Sequence, residues 1–423
     1  ASAPPRSHLA RHGRSAGPAA PAPRRGLDAR SCDARSCARQ AGAAVSGCVV
    51  VRSCRNRSVR SPVASIRAPL TRSAGPTPSR APALAPDDIK ALLVAGVLHS
   101  HGRLELCAVV ANGGGQPAMR ARLARCVLEH VGAPHVPVGI GTAGTPHAAQ
   151  PHEYELAGFD RVDTRGLAQG KALLLHVLHA SKRRSLTIVC ISSLLDFAQL
   201  IDEVPRLVLD KVLEVVIQGG VERADTPTGW RADSSVNNTF DLPAAERVYA
   251  FCFLHGLPLA IVSRDAVPLL PMQLARSFAD RTSCALLRYL ADAQFLGLEG
   301  LWIKLCEGKL PPRCTKQWYF ETFCGVSAAE FARLGYAHLD AADRIKQHLD
   351  GFVKPYDVIA LMAALPQTRD LFNRGEDPGP RMPPVRTART TRYGGLLTHR
   401  LLLHASDAID VRHVLQLLRD SYH

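Results

Sequence analysis

No two of the twelve cysteines in this 423-residue chain are spaced C-x-x-C, which leaves a zinc ribbon or a thioredoxin-type redox motif without an anchor. Cys32 and Cys37 stand five apart and Cys314 and Cys324 ten apart, while Cys107, Cys126, Cys190 and Cys252 lie inside apolar runs, where a reduced, buried thiol is expected. A reducing compartment follows from that usage. No apolar run reaches about 18 residues without a charge, so a membrane span is not expected and a soluble protein is. The run "AGAAVSGCVVV" (41–51) is too short to cross a bilayer and is at best a weak signal-sequence core. Acidic residues are nearly missing from the first 86 positions, which hold fifteen Arg, no Lys, only Asp28 and Asp33, and no Phe, Trp or Tyr. That segment therefore carries +13 of the formal +15, and the near-neutral remainder removes most of the case for a nucleic-acid partner.

What the first 85 residues do have is Ala, Arg, Ser and Pro, a composition that cannot build a core. It fits an organelle transit peptide, and equally a disordered linker or sequence from outside the true reading frame. The expected location is the cytoplasm, or a plastid or mitochondrion if the tail is a transit peptide. The chain is 46% hydrophobic and 21% charged, enough for one large core or two domains.

From residue 86 onward, β-rich runs alternate with helical ones. "PDDIKALLVAGVLHSHG" (86–102) reads as a helix, "LELCAVVAN" (104–112) as a strand, and "QPAMRARLARCVLEHVG" as a helix closed by Gly132. A short strand "HVPVGIG", the helix "GLAQGKALLLHVLHASKRR" and the uninterrupted strand "SLTIVCIS" (185–192) follow. Then come the helix "LLDFAQLIDEV", the strand "VLEVVIQGG" (212–220), a polar loop over 221–240, the helix "PAAERVYAFCFLHG" and the strand "LPLAIVS" (257–263). This order predicts an α/β fold with a mostly parallel, doubly wound sheet. Residues 271–366 read as mainly helical, and 374–423 as a loop and C-terminal helical extension, so the expected domain is 86–373. Ligands of such folds bind beyond the carboxyl ends of the strands. The strand ends to inspect are Asn112 with its glycines, Ile191-Ser192-Ser193, Gln218-Gly219-Gly220 and Asp265.

"AVVANGGGQPAMR" lacks the Gly-Lys-Ser/Thr ending of a P-loop and the spacing of a dinucleotide fingerprint. Its Asn112, followed eight residues later by Arg120, instead resembles the inosine/uridine-preferring nucleoside hydrolases, in which a strand ends in Asn before a Thr-Arg-Asn-Ala-like helix. The resemblance continues in order. "LTIVCISSLLDFAQL" is similar to that family's strand followed by Gly-Pro-Leu-Thr-Asn-Leu-Ala, with Ser192 and Ser193 in place of Gly-Pro. "VVIQGGV" resembles its Met-Gly-Gly strand end with Gln218 for Met. "SVNNTFDLPAAERV" resembles Glu-Phe-Asn-x-x-x-Asp-Pro-x-Ala-Ala, keeping Asn237, Asp241, Ala244 and Ala245 but with Ser235 for Glu. "LPLAIVSRDAV" matches Leu-Asp-Val-Thr through Asp265, and "KPYDVIAL" resembles the late His-Asp-Pro-Leu-Ala helix start with Tyr356 for His and Asp357 retained. Coverage runs from about residue 87 to 366.

The resemblance implies a nucleoside-hydrolase-like fold, hydrolysis of ribonucleosides to base and ribose, and Ca²⁺ held by Asp88, Asp357 and the Ile191 carbonyl. It assigns ribose to Asp87, Asn112 and Asn237, with Gln218, Asp233 and Ser235 also facing substrate, and the leaving base to Tyr356. The family's Asp-x-Asp-Pro-Gly-x-Asp-Asp loop ends on Asp87 and Asp88 here, but its water-activating Asp falls on Ala83, leaving Asp87 as the nearest candidate for that role. Hard oxygen ligands suit calcium, and neutral carboxamides suit sugar hydroxyls. A phenol with a pKa of about 10 is a poorer acid than His at neutral pH. A catalytically impaired nucleoside- or ribose-binding protein on the same fold is the alternative. The partner is a small nucleoside, with no nucleic acid or membrane and a possible homo-oligomer. Taken singly, Asp87, Asp88, Asp357 and Asp241 also read as helix-start acids, Asn237 as a turn residue, Asp233 as a solvated loop acid and Tyr356 as core. His99, His101, His130 and His176 read as structural.

Overall fold

The computed structural model describes residues 48–53, 86–113, 115–144, 153–264, 266–280, 284–310, 312–365, 368 and 400–402, all within the compact unit Ala34–His423. In chain order the strands are β1 (Cys48–Ser53), β2 (Leu104–Ala111), β3 (Val138–Ile140), β4 (Ala168–Gln169), β5 (Leu186–Cys190), β6 (Val212–Gln218), β7 (Val221–Arg223), β8 (Trp230–Ala232), β9 (Leu259–Val262), β10 (Leu270–Pro271), β11 (Phe352–Val353) and β12 (Arg400–Leu402). The helices are α1 (Pro86–Ser100), α2 (Pro117–His130), α3 (Gly170–Ala180), α4 (Leu195–Glu203), α5 (Pro205–Lys211), α6 (Val236–Thr239), α7 (Leu242–His255), α8 (Met272–Ala279), α9 (Ala285–Cys306), α10 (Lys316–Tyr319), α11 (Ala328–Arg333) and α12 (Tyr356–Ala364).

Eight strands form the main sheet in the order β12-β9-β6-β5-β1-β2-β3-β4. Every neighbouring pair is parallel except the two made by β1, which runs antiparallel to both β2 and β5. The expected α/β architecture is present, with the helices sorted onto two faces. Alternate residues of each strand feed opposite layers, as the period of two requires: Val49, Val51, Val109 and Val216 join one core with α1, α2, α9 and α12. Cys48, Val50, Val110, Ile188 and Ile217 join the other with α3, α4 and α7. The continuous apolar runs read from the sequence are the consequence of that two-sided burial.

Two expectations are corrected. The segment before residue 86 was expected to hold no core, yet Cys48, Val49, Val50 and Val51 are buried to 1–2% exposure at the sheet centre. Four consecutive apolar residues, three of them β-branched, fill both faces of a central strand, whatever the Arg-rich sequence around them averages to. Burying each such side chain contributes about 1.5–3 kcal/mol. Arg400–Leu402, expected in a helical extension, instead pair with Ala260–Val262 as an edge strand. The other residues of 1–85 and 374–423 lie outside the described residues, as do Ala83 and Asp265. The polar loop 221–240 contains the β7–β8 hairpin and α6. Helices α8 to α12 supply the expected helical C-terminal part, and among the described residues no helix is long and apolar enough to cross a membrane.

Candidate functional site

Parallel strands deliver their carboxyl ends to one edge of the sheet, and the predicted residues gather there in three groups. The first is carboxylate. Pro86 opens α1, so Asp87 and Asp88 occupy its first turn, where the free amides and the positive helix end favour acids. α12 packs against α1 and across β5, β6 and β9, and Asp357 sits in its first turn. Asp88 is 2% and Asp357 5% exposed. Burial, then the charge of Asp88 and after it Asp87, push the Asp357 carboxyl well above the usual carboxylate range, and the Lys90 ammonium pulls it back. Lys90, itself buried, donates from Nζ to Asp87 Oδ1 at 3.1 Å and to Gln294 Oε1. Tyr356 is half-buried, with Lys354 Nζ 6.0 Å above its ring centroid. A small apolar recess of about 10 Å³ lies beside this group, walled by Lys90, Leu270, Phe278, Val353 and Pro355.

The second group surrounds Asn112, which is completely buried where β2 ends. Its Nδ2 donates to the Ser193 main-chain oxygen at 3.0 Å and to Asp196 Oδ2 at 2.5 Å. Among the described residues its Oδ1 is buried without a hydrogen-bond partner, and so is Ser192 Oγ just past β5, next to the buried Ile191. Arg120 Nη1 on α2 donates to the main-chain oxygens of Asn112 (3.2 Å) and Gly113, pinning the strand end. The guanidinium is paired in turn with Glu153 (Nε to Oε1 3.5 Å), both side chains being 1% exposed. Tyr154 Oη donates to Glu153 Oε1 at 3.0 Å, and Tyr289 Oη on α9 donates to its main-chain oxygen at 2.6 Å.

The third group closes on the end of β6. Asn237 Nδ2 donates to the Gln218 main-chain oxygen (3.0 Å) and to Gln218 Oε1 (2.6 Å). Asp233 Oδ1 accepts from the Ser235 amide at 2.9 Å and from Asn238 Nδ2 at 3.0 Å, while Asn238 Oδ1 accepts from Tyr249 Oη at 3.2 Å. A Cβ on Gly220 would come within 2.1 Å of Asp233 Oδ2, so a side chain there would have to displace the Asp233 carboxylate. Asp233 therefore orders the loop, and the solvated-acid reading does not describe it. Ser235 Oγ and Trp230 Nε1 are buried without partners among the described residues, and Arg223 lies 4.4 Å over the Trp230 ring. Asp241, one of the motif matches, caps α7 by accepting from the Ala244 amide at 2.9 Å.

Among the described residues, no set of three or more His, Cys, Asp or Glu is arranged to hold a metal. Asp88 and Asp357 form a buried carboxylate pair whose mutual repulsion a neighbouring cation would relieve. Asp87 is engaged by Lys90. Lys90, Asp196, Thr142 and Glu153 were not anticipated from the sequence. The signal for Asp196 is its place in "SLLDFA", where the family motif has Asn; Lys90 interrupts an otherwise apolar run.

No protein-family model matches the sequence, and no curated protein does. Solved structures are similar. The type III effector protein XopQ, solved in complex with adenosine diphosphate ribose, is 21% identical with a TM-score of 0.58, over 79% of this chain and 88% of its own. The effector protein XOO4466 is 23% identical with a TM-score of 0.58, over 79% and 89%. These two share the fold of this chain. A plant nucleoside hydrolase is 14% identical with a TM-score of 0.46, over 80% and 95%.

Proposed function

We propose that this chain binds a ribosyl compound, a ribonucleoside or ADP-ribose, at the strand ends and has lost the turnover of the nucleoside hydrolases it resembles. Ribose hydroxyls would meet Asp87, Asn112 and Asn237, with Gln218, Asp233 and Ser235 on the β6 side and Tyr356 toward the base. Calcium would be held by Asp88, Asp357 and the Ile191 carbonyl, where it would supply positive charge to orient the sugar hydroxyls. The ADP-ribose bound by XopQ supports the ligand class.

The observation that carries the loss of turnover is the direction of β1. Ser53 pairs with Leu104, so β1 ends at the edge of the sheet opposite Asn112 and Ile191. In the family this first strand ends at the site and carries the water-activating acid there. Here the residue that β1 presents at the site edge is Cys48, opposite Val110 and Cys190. Asp87, the nearest substitute, is bound to Lys90. A second reading, calcium-assisted hydrolysis of inosine or uridine, is favoured by the gathering of Asp87, Asp88 and Asp357.

Thermal melting and assay of free base and ribose, with inosine, uridine and ADP-ribose, separate the two. A ligand at a hundred times its Kd stabilises by about 2.7 kcal/mol, a rise in Tm of roughly 3–4 °C for a chain of this length. The expected result is that rise without base release above an Asp88→Ala control. Release above the control overturns the loss of turnover; no shift with any of the three overturns the ribosyl reading.

A further inference from the structure

Asn112 is held in one orientation by its partners. A carboxamide presents an oxygen that accepts and a nitrogen that donates twice, and neighbouring groups decide which way round it sits. Both hydrogens of Asn112 Nδ2 are taken, one by the Ser193 main-chain oxygen and one by Asp196 Oδ2. A main-chain oxygen can only accept. Asp196 Oδ1 is meanwhile committed as an acceptor to the backbone N–H and the hydroxyl of Thr142, both at 2.9 Å. Turning the Asn112 amide over would set its oxygen against two acceptors. The oxygen is therefore the atom left over, completely buried and without a partner among the described residues. Leaving a buried acceptor unsatisfied is costly, and a donor arriving from outside the protein recovers that cost. Gly141 makes the arrangement possible, because a Cβ there would lie 2.9 Å from Asp196 Oδ2 and 2.7 Å from the Asn112 Cβ.

We propose that Asp196 is a positioning residue that locks Asn112 with its carboxamide oxygen toward the ligand, so that this corner of the pocket selects a group that donates, a sugar hydroxyl. The inference rests on the ribosyl reading for its ligand but on the protein's own geometry for the lock. The aspartate differs from the Asn of the motif this loop resembles, and the difference has a chemical consequence. An Asn at 196 can keep accepting from Thr142 through its oxygen, but it turns an NH₂ toward Asn112. Two facing amide donors force Asn112 to rotate, and the pocket then meets a donor where it had an acceptor.

The isosteric change Asp196→Asn tests this. By calorimetry, the full chain should bind inosine at least ten-fold more tightly than whichever of 2′-deoxyinosine and 3′-deoxyinosine lacks the hydroxyl that meets Asn112. Asp196→Asn should lose at least ten-fold for inosine and should no longer distinguish the pair, while melting within a few degrees of wild type. A merely structural residue would weaken all three ligands alike and leave the discrimination intact, and that result overturns the proposal. A second measurement needs no ligand and does not depend on Asp196→Asn folding. The side-chain amide protons of Asn112, assigned by ¹H–¹⁵N NMR from their loss in Asn112→Asp, should be protected from solvent exchange in the wild-type chain. Rapid exchange there overturns the lock. If no inosine analogue binds wild type, the ribosyl reading fails, and the amide protons alone then decide the lock.

Discussion

The carboxylate group of α1 and α12 is organised by residues of opposite legibility. Asp88 and Asp357 lie far apart in sequence, and it was their place in an ordered series of motifs that joined them. Lys90 was silent, because a lysine inside an apolar helix ordinarily reads as the solvated position of an amphipathic turn. Its burial against Asp87 and Gln294 is a tertiary fact. Each residue has a measurable consequence. Asp357 is a buried carboxyl whose ionisation burial and Asp88 oppose, so Asp357→Asn should raise Tm in a chelating buffer at pH 7 and abolish the response of Tm to added Ca²⁺. The folded-state pKa of Asp357 lies above its unfolded value, so its contribution to stability is full below about pH 4 and is lost as pH rises through the folded value. The advantage of Asp357→Asn should accordingly close as pH falls toward 4. Lys90→Met leaves Asp87 without its ion pair and should cost on the order of 1–2 kcal/mol without calcium, the group being partly exposed. It also removes a cation from beside the carboxylates, so the calcium-induced shift in Tm should grow; an unchanged shift would show that the ammonium and the metal do not compete.

At the scale of elements, the alternation of helix and strand from α1 to α12 was readable because two-sided burial makes strands continuously apolar and helices periodic. The β7–β8 hairpin and α6 escaped notice: their residues are largely polar, and what orders them is the hydrogen bonding of Asp233, Asn237 and Asn238 to the end of β6. β1 escaped because "CVVVRS" is only six residues long and lies in a segment whose average composition is that of a disordered chain. Its register is open to chemistry. Cys48 faces Cys190 across the β1–β5 pair, and a hydrogen bond that its own S–H makes to the facing sulfur, together with burial, raises the Cys48 thiol well above its usual value. Both thiols should resist iodoacetamide at pH 8 in the native protein and react once urea opens the sheet, while the half-buried Cys314 reacts throughout. Val50→Ala should destabilise by about 1–3 kcal/mol, the cost of a small cavity at the sheet centre. A Val50→Ala variant melting like wild type would mean that β1 is not where this register puts it.

For the whole molecule, the antiparallel strand sits at the middle of the sheet, paired on both sides. Hydrogen exchange should therefore find the slowest amides in β1, β2 and β5 and faster ones in β4 and β12 at the edges, the opposite of what a loosely attached leader would show. The charge divides differently from the fold, since +13 resides in residues 1–86 and β1 is drawn from that same basic segment. Composition read in blocks could not separate the two.

The position of β1 also sets a timetable. Its slot is bounded by β2 and β5, and well over a hundred residues separate Ser53 from Cys190. A ribosome adding about 5–20 residues per second needs roughly ten seconds or more to deliver the second wall. Throughout that interval Cys48–Val51 have been synthesised and have nowhere to go. A nascent chain in this state exposes an apolar β-forming run between arginines, the kind of segment that holding chaperones shield, so the yield of native protein should depend on such shielding more than its final stability would suggest.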